Sequence, residues 1–300
     1  MLMNEITGPI SNERMSAARD PALMWEVFVT PGIPIVTADR PADVRDTYFQ
    51  AMASTLIYGK KDAVLVDAFM TTQQSTALAD WIASKGKNLT TIYITHGHGD
   101  HWFGVGTILE RFPNARVVAT PDTVRVMRQN ASPEALHGAW EPAFPRQIPA
   151  TLVIAKELEG NVIDLEGHEL VVVDLGHTDM DHTTCMHVPS IGLVVAGDAV
   201  YNDVHLYLAE STADTRREWI AALDKIESLK PHAVVATHKR PENDDSPSIV
   251  AETRQYIRDF DRLVGTTRTA QELYDEMVAL YPNRINPGWA LWSSVRAVKA

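Results

Sequence analysis

A single cysteine, Cys185, stands in 300 residues. No intrachain disulfide is possible, so the fold must hold without the crosslinks of small secreted domains, and a reducing, cytoplasmic setting is expected. No run approaches the roughly 18 consecutive apolar residues of a membrane span, and Met1–Arg19 lacks an apolar run of signal-peptide type. Neither a membrane partner nor export by that route is expected. Basic residues are scarce as well: 27 Lys and Arg against 39 Asp and Glu leave a formal charge of -12. That sign opposes an extended surface for nucleic-acid phosphates. The 16 Gly and 17 Pro are scattered, which excludes collagen-like and low-complexity chains.

What is present is an ordinary globular mixture, 45% hydrophobic and 22% charged, able to bury a large core. Two β-rich runs flank Gly59-Lys60-Lys61 between Ser54 and Phe69, the pattern of a hairpin. Leu78, Trp81 and Ile82 recur at helical spacing between Thr72 and Ser84, and Gly86 follows as a stop. A strand ending at Ile94 then runs into a histidine-rich loop, followed by a helical pattern through Phe103, Ile108, Leu109 and Phe112. Ala115–Thr120 predicts a strand, and Pro121–Pro149, with Trp140 and Phe144, either an excursion over a pocket or a surface loop tethered by those two aromatics. Strands over 168–177 and 191–200, an amphipathic helix over Thr215–Leu229 and a strand over 232–238 complete the series. Two helices are expected after it, over 248–264 and from Thr269 to near Leu280, where Thr269 and Glu272 form a capping box. Sheets covered by helices on their outer faces follow. No linker marks a second domain: residues 1–300 read as one, with a core over about 50–240 and a helical extension over about 246–300.

Between Thr95 and His101 the chain reads T-H-G-H-G-D-H, placing His96, His98, Asp100 and His101 within six residues, with glycines that permit a tight loop. In an extended loop His96 and His98 project to one side and can hold one ion, while Asp100 and His101 face a second position. Nitrogen and oxygen donors without a nearby thiolate suit zinc best, and also Mn, Fe, Co or Ni.

The H-x-H-x-D-H pattern resembles the signature of the metallo-β-lactamase superfamily. The resemblance spans about Leu56 to His238 and implies a four-layer αβ/βα sandwich. It also implies the remaining ligands. His177 in Gly-His-Thr matches the third histidine of the first ion, Asp198 in Gly-Asp the bridging carboxylate, and His238 the last histidine. The implied cofactor is two divalent ions, zinc foremost: one on His96, His98 and His177, the other on Asp100, His101 and His238, with Asp198 between. Asp67 matches the acidic residue that ends an early strand in this family. One departure is Thr178-Asp179-Met180-Asp181-His182, where the family often has a Pro-Gly-His-like turn; His182 is expected to orient the site or to lie solvated. Another is Lys239-Arg240 after the last ligand, a positive charge able to receive a substrate carboxylate.

The implied chemistry is hydrolysis of a small-molecule substrate. Two ions sharing Asp198 and a water lower that water's pKa from about 15.7 toward about 7. Asp100 is expected to orient the resulting hydroxide or pass a proton to the leaving group. Tyr201, three residues past Asp198, has the spacing of the tyrosine that contacts the substrate carbonyl in the acyl-homoserine-lactone lactonases of the superfamily. His205 or Tyr207 is expected near the pocket mouth, and Trp25, Phe28, Trp140, Phe144, Trp289 and Trp292 are candidates for an apolar acyl pocket or for core. Opening of a lactone or cleavage of a carboxylic ester leads. A glyoxalase-II-like thioesterase, a β-lactamase and a mononuclear-iron oxidoreductase akin to persulfide dioxygenases are the alternatives.

Overall fold

The computed structural model describes residues 23–42 and 44–299. The stretch Met1–Arg19, read above for its missing signal-type run, lies outside them. A six-stranded sheet is built in sequential order from β1 (Met24–Thr30), β2 (Met52–Tyr58), β3 (Asp62–Val66), β4 (Asn88–Tyr93), β5 (Arg116–Ala119) and β6 (Lys156–Glu157). The expected hairpin is β2–β3, antiparallel with Tyr58 opposite Ala63. A second sheet takes β7 (Val162–Leu165), β8 (His168–Gly176), β9 (Thr183–Val188), β10 (Leu193–Val195) and β12 (Ala233–Val235), ordered β12-β10-β9-β8-β7. A small parallel pair, β11 (Tyr201–Asn202) with β13 (His238–Lys239), sets Tyr201 opposite His238.

Strand β3 shows why the layers form. Its side chains alternate with the period of two that a strand imposes. Val64 and Val66 enter a core shared with Leu170, Val172 and Met186 of the second sheet. Ala63 and Leu65 point the other way, under helices α1 (Thr72–Ser84) and α2 (Val105–Arg111) through Leu78, Ile82 and Ile108. Both faces are buried, which is why the strand reads as a continuous apolar run. The outer face of the second sheet is covered by α6 (Ala213–Ser228) and α7 (Ser248–Thr266), whose Trp219, Leu223, Ile226 and Phe260 meet Cys185, Val194 and Val234. Helix, sheet, sheet, helix: the fold is the four-layer αβ/βα sandwich.

Helix α1 occupies the predicted residues and is capped reciprocally by Thr71 and Gln74. The Pro121–Pro149 excursion comprises α3 (Pro121–Asn130), single turns α4 (Pro133–Ala135) and α5 (Glu141–Ala143), and a π-helical turn (Leu136–Trp140) between them. Beyond β13 there are three helices rather than the two expected: α7, α8 (Ala270–Leu280) and α9 (Ala290–Val298). The last was hidden because Trp289 and Trp292 read as pocket aromatics. It packs as a helix on Leu291 and Val295, and the Trp292 indole donates to Asp39 at 2.8 Å.

Candidate metal centre

The two sheets present their functional side chains along one edge, from the segments that follow β3, β4, β8, β10 and β12. After β4 the chain turns sharply through Gly97 and Gly99. A Cβ on Gly97 would lie 2.4 Å from Val126 and one on Gly99 2.3 Å from the Phe103 ring. Only glycine admits such close packing, and it gathers three imidazoles within one short turn.

Each of five histidines has one ring nitrogen engaged on its outer side. His96 Nδ1 meets Thr95 Oγ1 at 3.1 Å, His98 Nε2 meets Glu210 Oε1 at 3.1 Å, and His101 Nδ1 meets Asp67 Oδ2 at 2.8 Å. His177 Nδ1 meets Asp181 Oδ1 at 2.7 Å and His238 Nδ1 the Ala51 carbonyl at 3.2 Å. Each of these partners can accept, so a proton on the outer nitrogen leaves the inner one free to offer its lone pair to an ion. That is the tautomer a metal ligand requires.

The inner atoms form two adjoining sets. His96, His98, Asp179 and Asp198 bring one donor atom each within 4.8 Å of one another, and Asp100, His101 and His238 do the same. Asp198 joins the sets: Oδ1 is 3.3 Å from His101 Nε2 and Oδ2 is 3.1 Å from His238 Nε2. Asp100 Oδ2 lies 3.6 Å from His101 Nε2 and 3.5 Å from His238 Nε2. His101 Nε2, His177 Nε2, Asp179 Oδ2 and Asp198 Oδ1 are all buried without a hydrogen bond. Leaving such atoms unsatisfied costs about 1–3 kcal/mol each. Three of them belong to the two sets, and with mixed N and O donors and no sulfur they fit a site for divalent ions.

Charge tells the same story. Burial disfavours the imidazolium of His238, but Asp198 and Asp100 outweigh it and raise its pKa to about 9. His101 is raised likewise against its burial, chiefly by Asp198, Asp100 and Asp67. His96 goes the other way, to about 4, because burial and the neighbouring His101 dominate. Burial opposes ionisation of Asp179, yet His96 and His98 hold its carboxyl down at about 2. Concentrated negative charge in a dry site demands cations.

Most of the expected ligands converge here, with differences at the margins. His177 stands outside both sets, although it lines a cleft together with His98 and Glu210. Asp181, not His182, orients it; His182 turns outward to Arg125 Nη2 at 2.9 Å. Tyr201 is fully buried, absent from the walls of the cavity beside the ligands, and donates its hydroxyl to Asp198 Oδ2 at 3.1 Å. In this arrangement it braces the carboxylate. Lys239 and Arg240 are engaged elsewhere, on Asp245 at 2.5 Å and Asp203 at 2.5 Å, so neither is a free receptor for a substrate carboxylate.

The cavity beside the ligands measures about 310 Å³. His98, Asp100, Asp198 and His238 form one side, and Phe49, Trp140, Phe144, Tyr207 and Trp289 much of the rest. Tyr207 stacks on Trp289 with planes 2° apart. Of the other candidates, His205 is buried against Tyr256, Phe28 packs on Trp81, Trp25 joins the core between the sheets, and Trp292 packs on Tyr274. Sequence reasoning missed Asp179, Glu210 and the walls supplied by Ile35, Phe49 and Gln50. The only signal for Asp179 was its place in a turn that departs from the family pattern.

The sequence profile of the Metallo-beta-lactamase superfamily matches residues 51–238, more than half the chain, and contains both ligand sets. The chain belongs to this superfamily. Hydroxyacylglutathione hydrolase of Francisella tularensis subsp. novicida (strain U112) is 41% identical over 64 residues, 21% of this chain and 24% of that protein. Its counterpart in subsp. tularensis (strain WY96-3418) is 39% identical over 64 residues with the same shares. The match thus spans about a quarter of the length of these curated relatives. A metallo-beta-lactamase family protein from Thermus thermophilus superposes with a TM-score of 0.61 at 20% identity, covering 91% of each chain. A metallo-beta-lactamase from Pontibacter korlensis gives 0.56 at 17%, covering 78% of this chain and 100% of that one. At these identities the likeness shows the fold. Among the described residues no helix is long and apolar enough to cross a membrane.

Proposed function

We propose that this superfamily member uses two divalent ions, zinc or a neighbouring first-row metal, to hydrolyse a lactone or carboxylic ester with an uncharged, apolar acyl part. The observation that carries this reading is the cavity. One wall is the ligand cluster, the opposite walls are aromatic, and no Lys or Arg stands among the described residues that line it. Glu210 adds negative charge there, held by His98 Nε2 at 3.1 Å and the Tyr207 hydroxyl at 3.3 Å. Apart from the ions themselves, an anionic substrate would find no counter-charge in these walls.

Divalent ions in such a site polarise a carbonyl and acidify water. The chain's own residues do the rest. His96, His98, Asp100, His101, His177, Asp198 and His238 supply the donors. Tyr201 fixes Asp198 by its hydrogen bond, and Asp100, which faces the cavity, is placed to take the proton of the attacking water and return it to the leaving oxygen. Phe49, Trp140, Phe144 and Trp289 exclude water and seat the acyl chain.

The local likeness to hydroxyacylglutathione hydrolases supports a second reading, a thioesterase. The two separate in one experiment: kcat/KM of the metal-loaded enzyme for lactones and phenyl esters of rising acyl length, against S-acyl glutathiones bearing the same acyl groups. Rates that rise with acyl length and favour the neutral leaving group are expected. Preference for the glutathione thioesters overturns the ester reading in favour of the thioesterase.

A further inference from the structure

We propose that Asp179 is itself a ligand of the first ion, beside His96 and His98, an inference that rests on the metal-hydrolase reading. The resemblance assigns the third position there to His177 and gives Asp179 no role.

The argument starts from where the lone pairs point. With His96 Nδ1 on Thr95 and His98 Nε2 on Glu210, the nitrogens left to face an ion are His96 Nε2 and His98 Nδ1, which stand 3.2 Å apart. Asp179 Oδ2 closes the triangle at 2.9 Å from His98 Nδ1 and 3.5 Å from His96 Nε2. That oxygen is fully buried and, among the described residues, has no partner beyond these two rings. Three potential donor atoms converge here at ligand-to-ligand separations. An ion held at about 2.0–2.2 Å by N and O donors sets neighbouring donors about 2.8–3.6 Å apart, from octahedral to tetrahedral geometry. All three sides of the triangle fall in that interval.

The turn is built to aim this carboxylate. The Thr178 hydroxyl donates to Asp179 Oδ1 at 2.8 Å, fixing one oxygen and leaving the other directed inward. Two residues on, Asp181 has a side chain 73% exposed and serves His177 Nδ1 from outside. One turn therefore gives the site an inner carboxylate that binds and an outer one that orients. The first ion then sits among two imidazoles and the carboxylates of Asp179 and Asp198. This donor set carries more negative charge than three imidazoles would.

Equilibrium binding of Zn²⁺ or Mn²⁺ alone to metal-stripped protein, followed by competition with a chromogenic chelator, tests this without any turnover. Wild type is expected to bind two ions, and Asp179→Asn to bind one of them at least ~100-fold more weakly, the range seen when a ligand or its support is lost. If both ions bind Asp179→Asn as tightly as wild type, this inference falls while the metal reading stands. If wild type binds no ion, the metal reading falls with it. Should the variant not fold, a crystal structure of metal-loaded wild type decides: an Asp179 oxygen within about 2.2 Å of the ion supports the assignment, and one beyond about 3 Å overturns it.

Discussion

The carboxylate of Asp67 accepts the Nδ1 proton of His101 at 2.8 Å, across 34 residues of chain. Its other oxygen accepts the Thr95 backbone N–H at 2.9 Å. One side chain thus ties the end of β3 to the end of β4 and selects the tautomer of a ligand. Asp67→Asn keeps the shape and removes the charge, and asparagine tolerates the left-handed backbone found there, φ 62°. The affinity for one of the two ions is expected to fall about 10–100-fold with the fold intact. Chelator competition and circular dichroism check both halves; unchanged affinity would show that the pair is only structural.

Trp289 forms a wall of the cavity and stacks on Tyr207. Burying a large apolar side chain or an equivalent acyl segment is worth about 1.5–3 kcal/mol. Trp289→Ala is therefore expected to lower kcat/KM for long-acyl esters by about 10–100-fold and to leave acetyl esters nearly unchanged. An equal loss for short and long chains would place Trp289 outside substrate recognition.

Lys239 is buried and paired with Asp245. Removing one partner of a buried pair strands the other charge and costs about 3–5 kcal/mol. Denaturant unfolding of Lys239→Met should show a loss of that order, while the rate ratio for carboxylate-bearing against neutral esters stays the same. A change in that ratio would make Lys239 a substrate receptor after all.

His205 is buried against the Tyr256 hydroxyl, at 2.9 Å, and burial, reinforced by the Arg284 guanidinium, depresses its pKa to about 3. An unfolded histidine titrates near 6.5. Between these values the unfolded chain binds a proton that the native one refuses. The stability this group contributes is therefore complete above about pH 6.5 and declines by about 1.4 kcal/mol per pH unit as pH falls toward 3. Guanidinium unfolding between pH 4 and 7 should give a slope shallower by that amount for His205→Asn than for wild type. Identical slopes would contradict this account.

What could be read in the sequence follows from locality. Asp198 and His238, each after an apolar strand, were singled out only through the family resemblance, whereas His96, His98, Asp100 and His101 share one short loop and stand out by residue type alone. The hairpin at Gly59 and helix α1 were legible for the same reason: their periodicity and caps are local. Asp179 was not. It lies two residues from Asp181 in one polar turn, and only the path of the chain makes one carboxylate buried and the other solvated. Tyr201 has the expected spacing, but β11 pairs in parallel with β13 and so lays its ring along His238, with centroids 5.3 Å apart. Phe49 and Gln50 belong to a segment without helical or strand periodicity, and Trp289 comes from beyond the sandwich, so their meeting at one cavity is a long-range result that no window of sequence displays.

The aromatic lining has an origin separate from that of the metal donors. Trp140 and Phe144 come from the excursion between β5 and β6, and Trp289 from the approach to α9, while the donors ride on the segments that follow the sheet strands. On the proposed reading, selectivity and reactivity are encoded by different stretches of chain. Exchanging the 121–149 segment and the chain around residue 289 for those of another superfamily member is a route to redirecting the enzyme toward new acyl groups while its bond-breaking apparatus is inherited unchanged.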